Sequence, residues 1–145
     1  QGQKYFKHDY EKDVRSLLLR KAYNASWRGL TYTQYCMLKK KERLTRTAFD
    51  RSFSIGKRIH EHFFQIIYNP SETFHGSVVV GKKVYKNATD RNRLRRQLYA
   101  SLYQFNKKNP QAVTYIVMVK PGATKAVRTD VMAALLEGLN KIRIK

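Results

Sequence analysis

Lys82-Lys83-Val84-Tyr85-Lys86-Asn87-Ala88-Thr89-Asp90-Arg91-Asn92-Arg93-Leu94-Arg95-Arg96 holds seven basic residues and one acid. The tract leaves a strand-like run, Gly76-Ser77-Val78-Val79-Val80. It ends inside a helix-like run, where Leu94, Leu98, Leu102 and Phe105 recur at steps of four, four and three. A cationic loop is therefore expected between a rigid strand and a rigid helix. That arrangement presents positive charge to a phosphate backbone in a fixed geometry.

Outward from the tract, periodicity sets the remaining elements. Thr45 to Ser54 reads as a short helix that stops at Gly56. Strand-like runs follow at Ile59–Tyr68 and Thr73–Val80, and Asn69-Pro70-Ser71 between them predicts an antiparallel hairpin. Asn87 to Asn106 is the long helix, with Thr89 or Asp90 as its expected N-cap. Ala112–Val119 is apolar and β-rich enough for a buried central strand. Pro121-Gly122 turns the chain into a last helix, Thr124 to Lys141, with Val127, Val131, Leu135 and Leu139 at steps of four. The order α-β-β-α-β-α predicts an α+β sandwich, with helices on one face of a small sheet. Ahead of it, Asp9 to Ala25 reads as an amphipathic helix and Thr31 to Arg43 as a second one. We divide the chain into a basic, helical N-terminal extension, 1–42, and a domain, 43–145.

The chain has 145 residues, a net charge of +20 and a pI of about 10.3. So large an excess destabilises the compact state by self-repulsion, and a polyanionic partner explains it better than solubility. RNA or DNA is favoured over a membrane surface, because no long apolar segment and no secretory signal is visible. Cys36 is the only cysteine, which excludes an intrachain disulfide and suits a reducing, cytoplasmic compartment. No Cys/His cluster has zinc spacing. His60 and His62 would share one strand face, and we read them as surface histidines near RNA. There is no Ser/His/Asp spacing, no P-loop and no carboxylate cluster for two metals. No catalytic and no metal-binding residue is expected in this chain.

Candidate binding residues follow from charge and geometry. Lys82, Lys83 and Lys86 occupy the loop, and Arg91, Asn92, Arg93, Arg95 and Arg96 the first turns of the helix. Guanidinium groups bind phosphate bidentately and stack on bases. Asn92, Arg96, Tyr99 and Tyr103 should form an exposed stripe beside the apolar one. Phe49 and Phe53, four apart on the short helix, are either core residues or a stacking surface for unpaired bases.

Lys82-Lys83, Ala88 and Arg91-Asn92-Arg93-Leu94-Arg95-Arg96 together resemble the signature of the bacterial ribonuclease P protein subunit. The resemblance runs from about Arg43 to the C-terminus. It implies a ribosomal-protein-S5-domain-2-like fold, α-β-β-β-α-β-α. It implies an RNA-binding subunit that assists a catalytic RNA in magnesium-dependent 5′ maturation of precursor tRNA, with Mg2+ held mainly by the RNA. Ribonuclease P RNA and precursor tRNA are the partners implied; neither DNA nor a membrane is expected. Phe49 and Phe53 match aromatics that line a cleft for the 5′ leader, and Phe64 on the next strand is placed with them. The first forty or so residues lie outside the resemblance. A structural RNA-binding protein of the ribosomal type, without turnover, is the alternative.

Overall fold

The structure, a computed structural model, describes residues 38–142. The helix expected over Asp9 to Ala25 lies outside them, as do residues 31–37 of the second. The described elements are α1 (Arg46–Ile55), β1 (Lys57–His60), β2 (Phe64–Pro70), β3 (His75–Val79), α2 (Ala88–Lys108), β4 (Val113–Val119) and α3 (Arg128–Asn140). Short 3-10 turns cover Lys40–Glu42 and Pro121–Thr124. The order is the α-β-β-β-α-β-α that the resemblance implied. Hydrophobic patterning alone fused β1 and β2, because the turn at residues 61–63 contains neither Gly nor Pro. Glu61 holds that turn instead. Its N–H donates to the Phe64 carbonyl at 2.8 Å, and its carbonyl accepts from Lys120 Nζ at 2.7 Å. Its carboxylate pairs with Lys141 Nζ at 2.9 Å, and this hydrogen bond holds the Lys141 ammonium above its usual pKa. His62 falls in this turn and not on the strand, so it shares no strand face with His60.

The sheet order is β1-β2-β4-β3. β4 lies antiparallel to β2 and parallel to β3. The hairpin expected between the second and third strand-like runs is thus a correction: β2 does run opposite to β3, but β4 separates them. Two strand spacings are about 10 Å. Residues 71–74 connect the two strands and reach roughly 13 Å, so the link bridges the gap without pairing its flanks. β4 takes the centre because it is apolar on both faces: all of its residues are buried except Met118, which is half-buried.

Alternation along β4 defines two faces. Val113, Tyr115, Val117 and Val119 point into the core with Phe64 and Ile66 of β2, Leu98 and Leu102 of α2, and Val131 and Leu135 of α3. Thr114, Ile116 and Met118 point the other way, with Gln65 and Ile67. α1 packs on this second face: a Cβ at Gly56, its C-cap, would collide with Ile67 Cγ2. Helices therefore cover both faces, and the expectation of one covered face is corrected. α1 was misplaced because its apolar residues are too few to reveal a face; it has no buried residue.

Two further boundaries differ from the patterning. The last helix starts at Arg128, and Val127, counted in its apolar stripe, is 62% exposed as the N-cap. Leu38 is 1% exposed, and the segment behind it runs beside β3, with Arg43 bridging Gly76. The residues before α1 are thus part of the packed domain from Leu38 onward, and residues 38–43 are not α-helical.

Candidate nucleic-acid interface

The basic loop is anchored by an apolar residue. Val84, 7% exposed, sits in the core, and its N–H donates to the Gly81 carbonyl at 3.1 Å. Lys82, Lys83 and Lys86 around it are left exposed. α2 starts at Ala88 with Asn87 as N-cap, two or three residues before the expected cap. Asp90 accepts from Asn87 Nδ2 at 3.4 Å in the first turn, where a carboxylate suits the positive end of the helix.

The arginines divide into two kinds. Arg91 is half-buried, and its Nη1 donates to the carbonyls of Tyr85, at 2.8 Å, and Lys86. It ties the loop to the helix. Arg95 Nη1 donates to Asn92 Oδ1 at 2.9 Å, so these two side chains fix one another. Arg93 and Arg96 are exposed and form no hydrogen bond or ion pair with a described residue; the same holds for Lys82, Lys83 and Lys86. Five free cations thus surround a framework set by Arg91, Arg95 and Val84.

Tyr99 is not part of an exposed stripe. It is half-buried, and its hydroxyl accepts the Val78 N–H at 3.2 Å, while the Arg43 guanidinium lies 5.3 Å from its ring centroid. Tyr99 therefore joins α2 to the edge strand β3 and is spent on structure.

The aromatic pair is intact. Phe49 and Phe53 are half-buried on α1 and stack on each other, with centroids 5.9 Å apart and rings 17° from parallel. Arg58 of β1 covers Phe53 at 5.3 Å from its centroid and donates from Nη2 to its carbonyl at 2.9 Å. Arg58 was missed because no periodicity links it to Phe53. Phe64 is a correction. It is 0% exposed and faces the α2–α3 core, so it cannot line a surface cleft. Strand register, which the sequence left open, puts Gln65 on the outer face instead.

Register also locates the aromatic pair relative to the loop. On the outer face, His60, Gln65, Met118 and Val79 form one row across the four strands. The next row, Arg58, Ile67, Ile116 and Ser77, lies at α1. The basic loop leaves β3 just past Val79. No described helix is placed over this row, which separates α1 from the loop with a partly apolar floor.

No three His, Cys, Asp or Glu side chains among the described residues gather where they could hold a metal ion. No described helix is long and apolar enough to cross a membrane.

Comparison with known proteins identifies the family and the fold. The sequence model of the family "Ribonuclease P" matches residues 38–143. The ribonuclease P protein component of Enterococcus faecalis is 30% identical over 106 residues, covering 72% of this chain and 87% of that protein. That of Chromobacterium violaceum is 33% identical over 89 residues, covering 60% and 73%. The fold is similar to that of the RNase P protein from Thermotoga maritima, with a TM-score of 0.58 at 24% identity over 71% of this chain and 99% of that one. The Staphylococcus aureus RNase P protein gives 0.57 at 19% identity, over 69% and 94%.

Proposed function

The chain belongs to the ribonuclease P protein family, and from that premise we propose how it serves the enzyme. It is the protein component of the tRNA 5′-processing enzyme, whose catalysis lies in the RNA. Lys82, Lys83, Lys86, Arg93 and Arg96 contact the phosphates of the catalytic RNA, while Arg91, Asn92 and Arg95 hold the basic surface in shape. Phe49 and Phe53 stack on the 5′ leader of precursor tRNA over the floor of Gln65 and Met118. Magnesium is held by RNA oxygens, and the protein lowers the repulsion between the two RNAs. The compartment is the cytoplasm. One observation carries this reading: five cations on one loop–helix unit have no partner among the described residues. In a chain of net charge +20, like charges are kept unpaired at a stability cost that a polyanion offsets.

The test mixes RNA-free chain with a leader-bearing precursor tRNA and a bacterial ribonuclease P RNA at low magnesium. Cleavage at the mature 5′ end that requires both components supports the proposal. Tight RNA binding without stimulation, across several such RNAs, would favour a structural RNA-binding role. Cleavage by the chain alone would overturn the assignment of catalysis.

A further inference from the structure

We propose that the groove on the reverse flank of α1 is a second RNA-binding site, which takes the backbone of a single-stranded segment. This deepens the reading of the chain as an RNA-binding subunit and rests on it. A cavity of about 760 Å3 lies between α1, the 3-10 turn before it and the chain around the β2–β3 link. Its size is that of a ligand site. The cavity is separate from the aromatic pair. At 100° per residue, Ala48, Arg51, Ser52 and Ile55 line it from one side of α1, and Phe49 and Phe53 point roughly 130° away.

The lining has the chemistry of a phosphate groove. Lys40, Lys41 and Arg51 stand on its walls, are exposed, and pair with no described residue. One carboxylate, Glu72, faces them, so cations remain in excess. On the floor, Thr114 is only 5% exposed, and its hydroxyl has no hydrogen-bond partner among the described residues. α1 also begins at this wall. Thr45 Oγ1 accepts from the Ala48 N–H at 3.3 Å, which leaves the other first-turn donors for an anion. The wall runs from Thr45 to Ile55, roughly 15 Å along the helix. Successive phosphates on one strand of a duplex rise about 3.4 Å along the axis, and an extended single strand spaces them more widely. The groove is therefore long enough for more than one consecutive phosphate and oversized for one.

The experiment is an amide NMR titration of the full chain carrying Phe49→Ala and Phe53→Ala, which silences the aromatic cleft. The probes are a single-stranded oligouridylate, uridine monophosphate and inorganic phosphate. The expected result is that the oligouridylate shifts the amides of Thr114 and Thr45–Ala48. Adding Lys40→Ala, Lys41→Ala and Arg51→Ala should weaken that binding about tenfold and lower its salt slope by about two. Thr114→Val should weaken it with the charges intact. Absence of shifts at Thr114, or an affinity unchanged by the triple substitution, overturns the proposal. Equal affinity for inorganic phosphate would make the groove a small-anion site and also overturn it. Cleavage stimulation by the wild-type chain is scored separately, so stimulation with a silent groove sinks this inference alone.

Discussion

Tyr115 carries a polar group into the middle of the core. It is 1% exposed, set edge-on to Phe105 at 6.4 Å and tilted against Phe74 at 6.1 Å, and its hydroxyl donates to Gln111 Oε1 at 2.7 Å. Burial pushes its pKa up to about 12. The folded state thus resists the phenolate, which forms near pH 10 in the unfolded chain. The hydroxyl's contribution is complete below pH 10 and is lost as pH rises toward 12. In urea unfolding at pH 8, wild type should exceed Tyr115→Phe by about 1 kcal/mol. That margin should shrink, and can reverse, between pH 10 and 12; a constant margin would refute the linkage. Gly76 is a second such point. A Cβ there would meet Leu38 Cδ1 at 2.6 Å and Leu102 Cδ2 at 2.7 Å, and both leucines are buried. Gly76→Ala should lose about 1–3 kcal/mol through overpacking, and an unchanged urea midpoint would show that the core has slack. Single residues were legible in the sequence where a period fixed them. Leu94, Leu98 and Leu102 are buried as their spacing required. Phe64 was not, since alternation assigns it to one of two faces and only pairing with β4 chooses which.

The elements were legible in kind and misread in partnership. β4 announced itself as a central strand, and α2 by its four-residue leucine step, because both signals are local. Which strand pairs with which is not local. The short β2–β3 link looks like a hairpin turn, but the two free edges of β4 are satisfied by inserting it between those strands. The aromatic pair could be placed on one helix face by counting, yet its neighbour Arg58 arrives from another element. The edge strand β3 shows the same limit. Its outer side would offer unpaired donors, and Tyr99 of α2 closes one of them by accepting from Val78 N–H. Tyr99→Phe should cost about 1 kcal/mol or somewhat more, because a partly buried N–H loses its acceptor. The local reading is sharper than the global one: hydrogen exchange at Val78 should speed up while the amides of β4 opposite α1 stay protected. Uniform acceleration would mean that the hydroxyl supports the whole fold and not the edge.

Charge acts on the molecule as a body. At net +20, every exposed cation repels the others when the chain is compact and attracts RNA when RNA is present. Arg93 and Arg96 receive no compensating pair from the described residues, so folding gains nothing from their charge. Two opposite responses to one substitution follow. Arg93→Ala with Arg96→Ala should leave the melting temperature of the free chain unchanged or raise it by a few degrees, with the gain fading as salt screens the repulsion. The same variant should bind ribonuclease P RNA more weakly and with a salt slope lower by about one to two. RNA should accordingly stabilise the wild-type chain more than the variant, since a ligand bound only to the folded state adds stability in proportion to the logarithm of its concentration over Kd. Melting with and without RNA, at low and moderate salt, reads both responses. A free variant that melts well below wild type would show that these arginines serve the fold, and the division between a paired framework and a free binding surface would have to be redrawn.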